Sequence, residues 1–137
     1  MARVLGVLGG MGPAATTAFL ARVQALTPAG ADEDHVRVIA DINPQVPNRH
    51  TQPEAAGRTL GEMARALKTA GAQVLAMPCN TAHAHAGAIR AAGLPFIDMI
   101  AETAKAAGAT GARRVGVLAT PGAALLYAEA LAAEGLE

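Results

Sequence analysis

The chain has 137 residues, 52% of them hydrophobic, and its eleven basic and eleven acidic side chains leave no net charge. That length suits one domain with a sizeable core, while three aromatic residues and no basic stripe argue against nucleic-acid binding by phosphate neutralisation or base stacking. No apolar window is long enough to span a membrane, the single cysteine excludes an internal disulfide, and no His/Cys set has the spacing of a metal site.

Val4 to Leu8 is a nearly uninterrupted apolar run, as expected of a strand buried on both faces. It enters the chain without a signal-peptide cleavage region, so a cytoplasmic location is expected. Gly9-Gly10-Met11-Gly12 follows, and Pro13 suits the first position of a helix running from Ala14 to Leu26. Asp32-Glu33-Asp34 reads as a solvated loop. Val36 to Ile39 is the second strand, ending at Asp41. Ile42 to Pro53 holds three prolines and is too interrupted to be a regular element; a loop this long at a strand end is more often functional than ornamental. Thr59 to Ala70 is the second helix, Val74 to Met77 the third strand and Thr81 to Ala92 the third helix. Leu94 to Asp98 forms a short fourth strand, Met99 to Ala107 a fourth helix, Val115 to Leu118 a fifth strand and Ala123 to Ala133 a fifth helix.

This alternation predicts an α/β fold, a parallel sheet with helices on both faces. Ligands of such folds bind beyond the carboxyl ends of the strands. Three polar strand ends meet that rule: Gly9 to Gly12, Asn43 to Arg49, and Pro78 to Thr81. The sequence also repeats itself, since Ala2-Arg3-Val4-Leu5-Gly6-Val7-Leu8 recurs as Ala112-Arg113-Arg114-Val115-Gly116-Val117-Leu118, with Gly12 matched by Gly122. The repeat divides the chain into residues 1–111, one α/β domain, and residues 112–137, the first strand and helix of a second copy.

Cys79 stands where the third strand gives way to the third helix, between Pro78 and the helix-capping types Asn80 and Thr81. Backbone N–H groups and the helix dipole favour negative charge there, so a thiol at that point is expected to be a better base or nucleophile than usual. Asn80 and Thr81 either cap the helix or, with its N–H groups, bind a carboxylate. Arg49 has the chemistry to grip a carboxylate with two parallel hydrogen bonds. Met11 and Gly12 are expected to line the floor of a site through backbone atoms. His83 and His85 are two apart and do not share a helix face; either tunes Cys79 or is simply solvated, and the solvated reading is favoured for both, while Asp41 and Asp98 end strands and read as caps.

Taken together, Val7-Leu8-Gly9-Gly10-Met11-Gly12-Pro13, Asn43-Pro44-Gln45-Val46-Pro47-Asn48-Arg49 and Met77-Pro78-Cys79-Asn80-Thr81-Ala82-His83 resemble the aspartate racemase branch of the aspartate/glutamate racemase family, in order and spacing, over essentially the whole chain. The glutamate branch differs in the first motif, with an Asp-Ser pair where this chain has Gly9-Gly10. The resemblance implies one half of a pseudo-duplicated two-domain fold and cofactor-independent racemisation of a dicarboxylic amino acid, aspartate or glutamate. One cysteine from each domain works on each face of the substrate. Cys79 matches the first; the second belongs to a Gly-Cys-Thr motif that lies beyond Glu137. The resemblance also implies substrate contacts at Met11, Gly12, Arg49, Asn80, Thr81 and Thr120, and a homodimer. Two other readings stay open. One is a catalytically incomplete, racemase-like domain that binds an amino acid. The other is a dinucleotide-binding domain, since Gly10-Met11-Gly12-Pro13-Ala14-Ala15 fits G-x-G-x-x-A with Asp41 near the end of the next strand; Pro13 counts against it by removing an N–H from the turn.

Overall fold

A computed structural model describes residues 3–137; Met1 and Ala2, and with them the first residue of the repeat, lie outside the described residues. Four parallel strands form one sheet in the order β2-β1-β3-β4: β1 (Leu5–Gly9), β2 (Val38–Ile42), β3 (Val74–Ala76) and β4 (Phe96–Ile97). In register, Leu5 faces Val38 on one side and Val74 on the other, so β1 is central and buried throughout. The α-helices are α1 (Pro13–Leu26), α2 (Pro53–Thr69), α3 (Ala86–Arg90), α4 (Met99–Gly108) and α5 (Pro121–Ala133).

Alternate residues of β1 feed two cores, as the pleat requires. Leu8, with Leu75 and Met77, packs under Leu60, Met63, Ala64 and Leu67 of α2. Leu5, Val7 and Ala76 meet Phe19, Leu20 and Val23 of α1 on the opposite face. The helices therefore cover both faces, and the α/β class read from the alternation is the fold observed. A third, separate cluster joins Ala104 of α4 to Leu131 and Leu136, with Val115, Tyr127 and Ala130 packed against them. That cluster attaches the C-terminal segment to the rest.

Several expected boundaries move. Pro13, Pro53 and Pro121 each lie at the start of a helix, so α2 begins six residues before Thr59 and α5 two before Ala123. The expected helix from Thr81 to Ala92 is not one helix. A 3₁₀ segment, Thr81–His85, precedes the five-residue α3. The ring of His83 reaches back to the carbonyl of Cys79, and the His83 N–H bonds Asn80 at i−3, so the first turn tightens. Asp32–Asp34, expected as a loop, is a short exposed 3₁₀ turn.

The expected fifth strand, Val115 to Leu118, is not a strand among the described residues and joins no ladder. Its neighbour is Glu137: the Val115 N–H donates to the Glu137 carbonyl at 2.7 Å, and the Glu137 N–H to the Arg113 carbonyl at 3.0 Å. Strand propensity needs partners to be realised, and Leu118 is fully exposed.

The glycines after β1 have a steric purpose. A Cβ on Gly10, at φ +100°, would stand 2.4 Å from the backbone carbon of Asn43, and one on Gly9 would meet Thr16 at 2.5 Å. The β1 turn is thus pressed against the loop that leaves β2, and the Asn43 N–H donates to the Gly9 carbonyl at 3.0 Å.

Candidate active site

With strand order β2-β1-β3-β4, chain connections leave in opposite directions at β1 and β3, and a crevice opens beyond their carboxyl ends. Met11 follows β1 and Cys79 follows β3. The loop after β2 supplies Arg49 and His50. From the other side come Thr103 of α4 and Thr120, Ala123 and Tyr127 at α5, and all of them line one cleft of about 520 Å³.

Of the seven residues singled out from the sequence, six meet in this cleft: Met11, Arg49, Cys79, Asn80, Thr81 and Thr120. Gly12 does not line it; it is exposed, and a Cβ there would touch nothing within 4 Å. The glycines that are closely packed are Gly9, against Thr16, and Gly10, against the Asn43 backbone.

Cys79 is half-buried and free. Its N–H donates to the Met77 carbonyl at 2.9 Å, a tight turn that aims the chain out of β3. The long helix expected behind it is absent, so the macrodipole argument loses the element it rests on. His83 is buried, at 5% exposure, and stacked on Phe96 with ring centroids 5.4 Å apart. It holds the Cys79 carbonyl at 2.6 Å from Nδ1 and receives the Met99 N–H on Nε2 at 3.2 Å. Burial holds its pKa below the ordinary 6.5. Asp98 caps α4 by accepting the N–H groups of Ile100 and Ala101, as the sequence suggested, and pairs with Arg90 at 2.9 Å. Asp41 is not a strand terminus; it lies inside β2, opposite Leu8.

Arg49 sits in a braced loop. Asn43 Oδ1 accepts the Gln45 N–H at 3.0 Å, Asn48 Oδ1 accepts those of His50 and Thr51, and Val46 is buried as an anchor. Among the described residues Arg49 makes no ion pair, and its Nε is enclosed without a hydrogen-bond partner. A buried donor of that kind costs free energy unless an acceptor arrives.

Asn80 does not cap the following turn through its side chain. Its Oδ1 accepts from the Tyr127 hydroxyl at 2.6 Å, and the Thr81 hydroxyl meets that of Thr120 at 3.0 Å. Two polar links therefore cross the cleft from the Cys79 turn to α5. Tyr127 was not singled out from the sequence. On an Ala- and Leu-rich helix it reads as core, and its partner is 47 positions away. The Gly-rich turn is not arranged for phosphates. The Gly10 N–H donates to the buried Thr16 hydroxyl at 2.8 Å, which removes a donor that a dinucleotide would need. Among the described residues there is no group of three His, Cys, Asp or Glu side chains able to hold a metal, and no helix is long and apolar enough to cross a membrane.

An open parallel sheet with helices on both faces and a cleft at its switch point defines an α/β domain of the doubly wound class. Within that class, residues 8–137 match the Asp/Glu/hydantoin racemase family, and the chain belongs to it. It is 30% identical over 109 residues to the broad specificity amino-acid racemase RacX of Bacillus subtilis (strain 168), covering 74% of this chain and 48% of that protein. The fold superposes on aspartate racemase from Picrophilus torridus with a TM-score of 0.87 at 28% identity, over 98% of this chain and 60% of that one. An aspartate racemase homologue from Pyrococcus horikoshii OT3 gives 0.83 at 23% identity, over 98% and 62%, and bears on the fold alone. The chain thus spans about half the length of the curated relative and three-fifths of the solved ones.

Proposed function

We propose that this chain carries one half of the catalytic centre of a cofactor-independent amino-acid racemase, with Cys79 as the acid–base group on one face of a dicarboxylic substrate such as aspartate or glutamate. The observation that carries the reading is the company Cys79 keeps: a free thiol in the same cleft as a guanidinium whose Nε is enclosed and unpaired.

The α-proton of an amino acid is a very weak acid, so removing it requires both a base held against the C–H bond and stabilisation of the charge that develops on the α-carboxylate. In this reading Arg49 takes the side-chain carboxylate in a bidentate grip. Asn80, Thr81 and Thr120 receive the α-carboxylate, which displaces the links they make to one another and to Tyr127. Met11 closes the floor, and Gly12 shapes the turn without touching substrate. The Cys79 thiolate accepts the α-proton and becomes the thiol. A second acid, supplied from outside these residues, delivers a proton to the opposite face. The reverse reaction exchanges the two roles.

The same reading treats residues 1–111 as one domain and 112–137 as the opening of a second copy. The hydrogen bonding supports this. In the first copy the Leu5 N–H donates to the Arg37 carbonyl at 2.9 Å; in the repeat its counterpart Val115 donates to Glu137 in the same sense. On this reading Glu137 corresponds to Arg37, the residue that precedes β2 in the first copy. A cytoplasmic homodimer is part of the proposal by family resemblance.

The test is α-proton exchange into deuterated water. Aspartate incubated with the chain should exchange on one face with little net racemisation, and Cys79→Ala should abolish exchange while ligand affinity changes by less than about threefold. Exchange that survives in Cys79→Ala removes the thiol from the mechanism. Calorimetry with NAD against D- and L-aspartate separates this reading from dinucleotide binding.

A further inference from the structure

We infer that His83 is a positioning residue for Cys79, acting as a neutral imidazole that fixes the Cys79 backbone to the start of α4, and not as an acid–base partner of the thiol. The inference rests on the racemase reading for its activity arm and on geometry for its structural one.

The hydrogen bonds assign the tautomer. The Met99 N–H can only donate, so Nε2 must offer a lone pair. The Cys79 carbonyl can only accept, so Nδ1 must carry the proton. One neutral tautomer satisfies both contacts. A second proton on Nε2 would face the Met99 N–H directly and would be buried, which opposes the imidazolium. The charged groups around the ring are Asp98 at the head of α4 and Arg90 of α3, which are paired with each other, and Glu129 of α5, which shares the outer groove with them. Asp98 and Arg90 act on the ring in opposite senses.

The ring is itself held. Phe96 stacks on it from β4, and the Arg90 guanidinium lies 5.5 Å from the centre of Phe96. Asp98 fixes Arg90 and caps α4, so the donor at Met99 is set by the same residue that sets the stack. The chain of contacts therefore runs from α4 through the imidazole to the peptide that carries the thiol. It places Cys79 without touching its sulfur, and a displacement of about 1 Å at a catalytic group can cost on the order of a hundredfold in rate.

Two substitutions separate the ring's two contacts. His83→Asn can keep an N–H where Nδ1 stood, retaining the bond to Cys79. His83→Gln can keep an acceptor where Nε2 stood, retaining the bond from Met99 and losing the Cys79 contact. The tether needs both contacts, so exchange of aspartate is expected to fall at least about tenfold in each variant, mostly in kcat. Because the chain has one cysteine, iodoacetamide reads the thiol directly. Its pH midpoint should be the same in both variants as in the parent, while the alkylation rate changes at least about fivefold in each. Exchange within about twofold of the parent in either variant, at equal melting temperature, would overturn the inference. So would a midpoint displaced by about one pH unit in His83→Asn, since that identifies an ionising partner. If the parent itself exchanges no proton, the racemase reading fails, and the alkylation comparison still decides the role of His83.

Discussion

Arg49 illustrates what a single side chain discloses. Its sequence context, between prolines and asparagines in a long loop after a strand, marked it as a binding residue because such loops carry function and guanidinium fits carboxylate. What the sequence could not convey was that, among the described residues, no acidic side chain pairs with Arg49 and its Nε has no hydrogen-bond partner, since that depends on where every acidic residue folds. Replacing Arg49 with Ala should weaken aspartate binding by about 2 kcal/mol and alanine binding by under about 0.5 kcal/mol, measured by calorimetry. Equal losses would mean that Arg49 does not read the substrate side chain. Cys79 was legible for a related reason: an apolar run closed by proline marks a strand end, and strand ends in this class face the ligand. His83 carried a signal that could have been used, because a histidine four positions after Cys79 is within reach of its carbonyl when the intervening turn is tight.

Elements were legible where local chemistry alone determines them. Pro13, which opens α1, and the apolar run of β1 needed no knowledge of their neighbours; Pro53 and Pro121 carry the same local signal, yet the reading of the sequence started α2 at Thr59 and α5 at Ala123. Elements failed where a distant partner decides. Among the described residues Val115 to Leu118 has the residues of a strand and bonds only Glu137, and the turn after Cys79 is tightened by His83, whose ring is anchored to Met99 sixteen positions on. Gly10 and Gly12 look alike in the motif and differ in the fold. Gly10→Ala should destabilise the chain by about 3 kcal/mol or more in urea unfolding, because its φ is +100° and the new methyl would collide with Asn43. Gly12→Ala, with open space around it, should stay within about 0.5 kcal/mol. Equal effects would refute the steric account.

For the molecule as a whole, buried His83 and partly buried His85 tie stability to pH. His83 and His85 both have pKa values lowered by burial, so the unfolded chain binds protons more readily than the folded one. Their contribution is fully present above the ordinary value of 6.5 and is lost as pH falls through it. Asp98 acts further down: burial raises its pKa, but the Ala101 N–H, the Arg90 hydrogen bond and nearby positive charge outweigh that and hold it below 3.8, so its contribution is lost in stronger acid. The melting temperature should therefore be flat above about pH 7.5 and decline through about pH 6, less steeply in His83→Asn, where His85 alone remains. A decline of the same steepness in both would show that His83 does not titrate on unfolding. One consequence concerns inheritance. Because the backbone of Gly10 nests against that of Asn43, the floor of the cleft and the arm bearing the guanidinium form one joined surface. A chimaera that borrowed the arm from another family member would have to borrow the glycine turn with it, and natural variation in the two should travel together.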